Sequence, residues 1–247
     1  MGVSRSSLYY TAKLPTKDWA LKIRLEEELQ RHPSYGSRRL AITLSIGRPR
    51  AQRVMRIFGI KPYRRRGRRY RKSKKTGVFP NLLLGVYPSY ENHIWAADFT
   101  EMVQRGKKVY TATIIDIFTR QTMGVHVGTR KGSALTIQAL ANALLHHPKP
   151  AIFHSDNGRE YEAGAFIALI EEWGITISRS RPGCPWENGY QESFYDKFKV
   201  DFGDPNRFKT FGELVAAIYL TIWEYNHTRI HSALKMPPVV FAERMAV

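Results

Sequence analysis

Cysteine is almost absent from this sequence: Cys184 is the only one among 247 residues. One thiol cannot form an internal disulfide and cannot supply the ligands of a cysteine-rich zinc site, so we expect a reducing compartment. The sequence also lacks a run of about 18 apolar residues, and residues 1–14 lack the apolar core of a signal peptide. These absences predict a cytoplasmic protein with no membrane partner.

Acidic residues are scarce in the first third of the chain. Residues 1–80 hold 22 Lys and Arg but only 4 Asp and Glu, whereas residues 81–247 hold 17 of each sign. The whole formal net charge of +18 therefore lies in the first third. This asymmetry favours a nucleic-acid-binding front end, because neutralising phosphates is the usual use of a basic block. A solvated basic face or a ribosome-like tail is the alternative.

The first third is predicted to begin with a helix over residues 18–31. Leu21, Leu25 and Leu29 recur there at four-residue spacing, which places them on one helical face. Pro33 ends this helix, because proline cannot continue the backbone hydrogen-bond ladder.

Two further short helices follow in the predicted scheme. The second covers residues 38–45, with Ser37 as its N-cap candidate. The third has Pro49 in its first turn and ends at Gly59. Its apolar face is predicted to hold Val54, Ile57 and Phe58.

Helix, tight glycine turn and basic helix together are the layout of a helix-turn-helix DNA reader. A small three-helix bundle with a basic surface is the alternative. Residues 61–90 are interpreted as a basic arm and linker, because arginine and lysine dominate residues 61–76 without apolar periodicity, and residues 77–90 carry little charge and are punctuated by Pro and Gly. The candidate DNA-binding side chains of the front region are Arg38, Arg39, Arg50, Arg53, Arg56, Arg64, Arg65, Arg66, Arg68 and Arg69.

The pattern changes to strands alternating with helices beyond the linker. Apolar and β-branched runs predict strands over 94–102, 107–118, 121–128, 151–155 and 175–178. Apolar residues at helical spacing predict helices over 133–146, 164–173, 187–200 and 211–225. This order indicates an α/β fold, a mixed sheet flanked by helices. We therefore divide the chain into a helical region (1–60), an arm and linker (61–90) and a core (91–247).

Three acidic residues of the core occupy notable positions. Asp98 lies inside an otherwise apolar strand, where a carboxylate is costly unless it is paired or bound to a cation. Asp156 directly follows the strand over 151–155, and open α/β sheets place ligands at such carboxyl ends. Glu192 lies in the predicted helix over 187–200, with 35 residues between it and Asp156.

Carboxylates that converge from separate elements suit one kind of chemistry. Two divalent metals about 3.5–4 Å apart can neutralise a phosphate and generate a nucleophile, and hard Mg²⁺ prefers oxygen ligands. Asp98 would be the bridging ligand. Asn188 and Lys199 are predicted to share a helical face with Glu192 and are further candidates for DNA contact. The alternative is that the acids are a turn-forming Asp and a solvated Glu.

Several motifs of the chain also resemble one known family. They are Trp95-Ala96-Ala97-Asp98-Phe99-Thr100, Ile115 to Arg120, His154-Ser155-Asp156-Asn157-Gly158-Arg159-Glu160-Tyr161, Gly183 to Phe194 with Lys199, and Tyr35 to Leu40. Tyr225-Asn226, Arg229, His231 and Pro237-Pro238 extend the likeness to the end of the chain. Together they resemble the second-reading-frame (OrfB-type) DDE transposases of bacterial insertion sequences. The resemblance covers about residues 30–245, and the 35-residue gap is similar to that of the family.

The resemblance implies an RNase H-like, retroviral-integrase-like core preceded by a small all-α domain. It implies cutting and joining of double-stranded element ends and target DNA, dependent on two Mg²⁺ ions per site or on substituting Mn²⁺. It assigns the catalytic and metal-binding roles to Asp98, Asp156 and Glu192. It further implies a nucleoid-associated homo-multimer on DNA. Because the upstream-frame region is not in this chain, the resemblance also implies the upstream-frame protein, or a fused form of it, as partner.

Some residues near the motifs are expected to have no role in the chemistry. The family more often has Asp where Glu187 stands, which we interpret as a conservative change outside the metal site. We expect Asp116 to be structural and His154 to be packed or hydrogen-bonded, and we assign no chemistry to Cys184. Two other hypotheses are a catalytically idle DNA-binding regulator of the element and a nonspecific RNase H-like nuclease.

Overall fold

The computed structural model describes residues 13–63 and 79–246. The chain divides into two compact units, Met1–Arg64 and Arg65–Val247. Residues 64–78 of the predicted arm and linker lie outside the described residues, and with them Arg64, Arg65, Arg66, Arg68 and Arg69. In the part of the chain that the structure describes, no helix is both long and apolar enough to cross a membrane.

The first unit is helical, with α1 (Lys13–Arg31), α2 (Ser37–Thr43) and α3 (Arg48–Ile57). Leu21 and Leu25 of α1 are buried, as their four-residue spacing predicts. The rest of this small core is formed by Tyr35, Leu40, Ala41, Ala51, Val54 and Met55.

Two details predicted for the helical unit are wrong. Ser37 is the first residue of α2 rather than its N-cap, because Gly36 takes the extended cap conformation and no side chain caps the helix. Ile57 is 57% exposed, because the buried face of α3 is formed earlier in the helix, by Ala51, Val54 and Met55. Pro49 lies in the first turn of α3, as predicted, and Gly59 adopts a φ of +66°.

The second unit contains a five-stranded mixed sheet in the order β3-β2-β1-β4-β5. Its strands are β1 (Ile94–Gln104), β2 (Lys107–Asp116), β3 (Thr122–Gly128), β4 (Ile152–Ser155) and β5 (Thr176–Arg179). The pairs β1–β2 and β2–β3 are antiparallel, whereas β1–β4 and β4–β5 are parallel. The predicted α/β fold with a mixed sheet flanked by helices is confirmed.

Helices cover both faces of the sheet. One face carries α4 (Ser133–His146), α5 (Arg159–Glu162) and α6 (Gly164–Glu172), whose apolar side chains pack with Trp95, Ala112 and Phe153. The other face carries α7 (Gly189–Phe202) and α8 (Phe211–His227). Every β2 residue from Val109 to Asp116 is buried, because this strand is covered on both sides.

The structure also contains elements that the sequence patterns did not predict. They are α5, the C-terminal α9 (Pro238–Met245) and single 3₁₀ turns at Leu82–Leu84, Pro185–Asn188 and Pro205–Arg207. Elements of this length contain too few residues to show a clear apolar period. The 3₁₀ turn at Pro185–Asn188 also moves the start of α7 to Gly189, two residues later than predicted.

Candidate active site

Asp98 and Asp156 are brought to matching positions by the parallel pairing of β1 with β4. Ala96 is the register partner of His154, and each acid lies two residues beyond its member of that pair. Asp98 Oδ1 accepts a hydrogen bond from its neighbour Phe99 N at 2.8 Å. Asp156 Oδ1 accepts one from Gly158 N at 2.9 Å. Sheet register therefore places the two carboxylates side by side at one edge of the core.

Glu192 approaches this pair from α7, which is fastened to β1 by three polar side chains. Asn188 Nδ2, just before the helix, donates to Ala97 O at 3.2 Å, and Gln191 Nε2 donates to Ala96 O at 2.5 Å. One turn later, Tyr195 Oη donates to Asp98 O at 2.9 Å. These hydrogen bonds to three consecutive β1 carbonyls fix the position and rotation of the Glu192 helix relative to β1.

The pKa of Asp98 is influenced by the other predicted acids and by Lys199. Burial raises the pKa of Asp98 to about 8, and the negative charges of Asp156 and Glu192 contribute to the rise. The Phe99 N–H and the positive charge of Lys199 act in the opposite direction on the same pKa. Asp156, Glu192 and Lys199 therefore each lie within electrostatic range of Asp98.

The pKa of Asp156 is set by a second group of neighbours. Burial raises its pKa, and the charge of Glu160 adds to this effect. The Gly158 N–H, Lys131 and Arg179 lower the same pKa. The partly buried Asp98–Asp156 pair is thus a concentration of negative charge that its surroundings only partly offset.

The side chains of this site are of the kind that binds a hard divalent cation, because carboxylate oxygens are the preferred ligands of Mg²⁺. The raised pKa of Asp98 shows that its negative charge is unfavourable here, and a bound cation would stabilise that charge. Within residues 13–63 and 79–246, no group of three His, Cys, Asp or Glu side chains stands close enough to hold a metal ion. A centre that uses all three acids therefore requires the carboxylates to approach more closely than they do here.

The predicted DNA-binding arginines of the helical unit differ in their surroundings. Arg38, Arg50 and Arg56 are at least partly exposed. Arg39 has its guanidinium carbon 5.7 Å from the centre of the Tyr35 ring. Arg53 forms a two-bond ion pair with Asp18 of α1, at 2.5 and 2.7 Å. Arg53 therefore ties α3 to α1, although part of its side chain stays exposed.

Two predictions for Asn188 need correction. It precedes α7, so it does not share a helical face with Glu192 and Lys199. Its side chain is buried and donates to the β1 backbone, which leaves no exposed surface for the predicted DNA contact.

The remaining polar residues around the motifs have structural contacts. Asp116 is buried and accepts hydrogen bonds from Asn92 N and from both Thr119 N and Oγ1, which closes the turn after β2. His154 is buried between the hydroxyl groups of Ser178 and Ser180, and burial lowers its pKa to about 4. Both residues behave as the sequence predicts.

Glu187 holds the loop before α7. Its carboxylate accepts hydrogen bonds from Arg181 N, from Arg181 Nε and from Asn81 Nδ2, each at 2.6 or 2.7 Å. The side chain therefore holds the loop that leads into the helix of Glu192, and it lies outside the acidic cluster of Asp98, Asp156 and Glu192.

Sequence reasoning missed the residues that position the acids. Gln191 and Tyr195 are polar residues four apart in a helix whose core side also holds Phe194 and Phe198, and this spacing was a usable signal. Glu160 and Lys131 gave no signal, because they meet only through the fold, as an ion pair at 3.0 Å.

The sequence of this chain is similar to proteins of one family over nearly its whole length. Two models of the integrase core domain match, one over residues 88–185 and one over residues 173–238. The IS600 31 kDa protein of Shigella sonnei is 32% identical, over 98% of this chain and 96% of its own length. The chain belongs to the insertion-sequence transposases. The putative transposase InsK of IS150 from Escherichia coli is a further relative, 29% identical over 94% of this chain and 87% of its own length.

Solved structures support the fold of this transposase. The HTLV-2 integrase catalytic core matches with a TM-score of 0.50 and 21% identity, over 62% of this chain and 97% of that one. A chain of the simian T-cell lymphotropic virus intasome matches with a TM-score of 0.53 and 19% identity, over 82% of this chain and 69% of that one. The core of the transposase is therefore RNase H-like.

Proposed function

We propose that this transposase cuts and joins double-stranded DNA at insertion-sequence ends by metal-dependent phosphoryl transfer at Asp98, Asp156 and Glu192. The observation that supports the proposal most is that the β1–β4 register places Asp156 beside Asp98, while the contacts between α7 and β1 bring Glu192 near enough for its charge to act on Asp98. The HTLV-2 integrase core, whose fold is similar, was solved in complex with magnesium.

The proposed reaction has two chemical steps at one site. Water attacks a phosphodiester at the element end, and the bond that breaks leaves a 3′-hydroxyl. This hydroxyl then attacks a phosphate of the target strand and displaces its 3′-oxygen, so one bond forms as another breaks. Bound divalent cations would neutralise charge on the phosphate and assist the nucleophile.

The protein residues contribute ligands, orientation and charge. Asp98, Asp156 and Glu192 would hold the cations, two per site, with Mg²⁺ or Mn²⁺. Gln191 and Tyr195 hold the helix that carries Glu192 against β1, so only the Glu192 side chain would have to move to bind a cation with Asp98. Lys199 would contact the DNA backbone near the reacting phosphate.

The experiment is a joining assay with oligonucleotides that carry the ends of the element. We expect cleavage and strand joining in the presence of Mg²⁺ or Mn²⁺, and neither product after chelation by EDTA. A catalytically idle regulator would bind the same DNA and give no product with either metal. A nonspecific nuclease would cleave DNA without joining it.

We further propose that the helical unit grips DNA with its accessible arginines, and that the basic arm extends this surface. Replacing Arg38, Arg50 and Arg56 together by Gln is expected to weaken binding and to flatten its salt dependence. The slope of log K against log salt should become shallower by about 0.9 for each DNA phosphate that the variant no longer neutralises. The measurement is DNA affinity across a salt series, and an unchanged slope would count against this role. The triple replacement of Lys107, Lys209 and Arg244 by Gln, which removes the same charge from exposed residues of the other unit, is the control and should leave the slope unchanged.

We also propose that the transposase works as a homo-multimer that spans two element ends, with the upstream-frame protein or a fused form as a further partner. The HTLV-2 integrase core was solved in a trimeric form, which supports assembly of this kind of core.

A further inference from the structure

Glu160 is a buried carboxylate beside the acidic cluster. It lies in α5, four residues after Asp156, and its side chain is only 7% exposed. Its Oε1 is paired with Lys131 Nζ at 3.0 Å. Its Oε2 is buried and has no hydrogen-bond partner within the described parts of the chain.

The unpartnered oxygen faces Asp156 across Gly158. A Cβ atom added to Gly158 would lie 2.7 Å from Glu160 Oε2 and 2.9 Å from Asp156 Oδ1. Both oxygens therefore border the same small space, which stays open because residue 158 has no side chain. Larger residues at this position would push the two carboxylates apart.

Leaving a buried acceptor without a donor costs free energy, so a donor is expected in the functional state. Two neighbouring carboxylates can only accept hydrogen bonds when they are ionised, so the donor must come from outside the pair. Hydrated Mg²⁺ keeps several of its waters when it binds a protein, and each such water is a donor.

Resting on the proposed function, we infer that Glu160 is a positioning residue of the metal site. Its Oε2 accepts a hydrogen bond from a water carried by the cation at Asp156, while Lys131 holds Oε1. Carboxylates outside the ligand set orient metal ligands in this way, and removing them commonly costs about 10- to 100-fold in metal affinity.

The opposing explanation is that Glu160 is only the counterion of Lys131. Charge alone does not separate the two explanations, because in either case the negative charge of Glu160 favours a nearby cation and the positive charge of Lys131 opposes it. Glu160→Asp separates them, because it keeps the negative charge but shortens the side chain. It weakens metal binding if Oε2 must reach a water of the cation, and leaves binding unchanged if Glu160 acts only through its charge.

The experiment measures Mn²⁺ binding to the full-length protein without DNA, by the electron paramagnetic resonance signal of free Mn²⁺. We expect Glu160→Gln to bind Mn²⁺ about 10- to 100-fold more weakly than wild type. Lys131→Gln should bind more tightly, and Glu162→Gln, which changes another carboxylate of the same helix, should bind as wild type does. Glu160→Asp keeps the charge but shortens the side chain, so an intermediate weakening is expected even if Glu160→Gln folds poorly.

Wild-type affinity in Glu160→Gln, or in Glu160→Asp, would overturn the inference. Asp156→Asn separates this result from the proposed function, because it should abolish binding at the site. If Asp156→Asn still binds Mn²⁺ as wild type does, or if wild type binds no Mn²⁺, the proposed metal centre itself is contradicted, and the inference with it.

Discussion

Replacing Asp98 by Asn is expected to abolish strand cleavage and joining and, at the same time, to stabilise the metal-free protein. The amide is a weak cation ligand, and metal ions supply several kcal/mol of charge stabilisation. A reduction of about 4 kcal/mol in that stabilisation corresponds to about a thousandfold in rate. The joining assay measures this effect, and DNA affinity should stay close to that of wild type because Asp98 lies outside the basic helical unit.

The stability effect follows from the raised pKa of Asp98. Burial and the charge of Asp156 raise this pKa from 3.8 to about 8, so the folded state holds a proton that the unfolded chain releases. The free energy of unfolding should therefore fall as pH rises from about 4 to about 8, by at most about 1.4 kcal/mol per pH unit from this group. Above about pH 8 this contribution becomes constant. Asn cannot titrate, so Asp98→Asn removes this part of the pH dependence.

Urea unfolding in EDTA at about pH 5 and about pH 8, two values within this window, measures the difference between wild type and Asp98→Asn. We expect the variant to gain stability relative to wild type at the higher pH. Asp196→Asn, which alters an exposed carboxylate of α7, is the matched control and should show neither effect. An unchanged pH dependence in Asp98→Asn would contradict the burial and charge crowding inferred for this site.

Replacing Arg229 by Met is expected to cost about 3–5 kcal/mol in the free energy of unfolding. Arg229 Nε donates to Asp201 Oδ2 at 2.6 Å, and the two side chains are 3% and 9% exposed. Removing the arginine leaves the Asp201 carboxylate buried without this cation. Because Asp201 lies in α7, the same change should loosen the helix that carries Glu192.

Denaturant unfolding of three variants tests the explanation. Arg244→Met removes an exposed arginine of α9 and should cost less than about 0.5 kcal/mol. The double variant Arg229→Met with Asp201→Leu should recover most of the stability, because it removes both charges of this buried pair. A double variant as unstable as Arg229→Met alone would show that poorer packing, rather than the stranded charge, causes the destabilisation.

Elements with a clear apolar period could be predicted closely from the sequence. The helix over 133–146 and the start of β1 at Ile94 were assigned to the residue, because long runs with one buried face leave little choice of register. The short α5 and the 3₁₀ turn before α7 were missed, because so few residues do not define a period. Ser37 was misassigned since Gly36 can also take the cap conformation.

The acids of the site could be singled out from the sequence, but the residues that contact and position them could not. Asp98 is conspicuous in an apolar strand, and Asp156 follows a strand end, so local pattern alone marks both. The surroundings depend on contacts between distant parts of the chain. Gln191 reaches the Ala96 carbonyl, Lys131 reaches Glu160, and neither pairing can be read from local spacing.

The interaction partners of the basic residues could not be predicted from the sequence either. Arg53 belongs to a block of arginines that resembles one DNA-binding surface, yet in the fold it is paired with Asp18. Charge counting cannot separate an arginine that holds two helices together from one that faces solvent. The assignment of DNA binding to the helical unit and the arm stays a prediction.

The three carboxylates are proposed to act together as one catalytic metal site, and the proposed reaction and the role of Glu160 both depend on this claim. Its most direct test is metal-dependent joining of element-end DNA by Glu192→Gln, compared with Asp196→Asn from the same helix. We predict no joining by Glu192→Gln with Mg²⁺ or Mn²⁺, at DNA affinity and thermal stability equal to wild type, and full joining by Asp196→Asn. Joining by Glu192→Gln at the wild-type rate would contradict the claim.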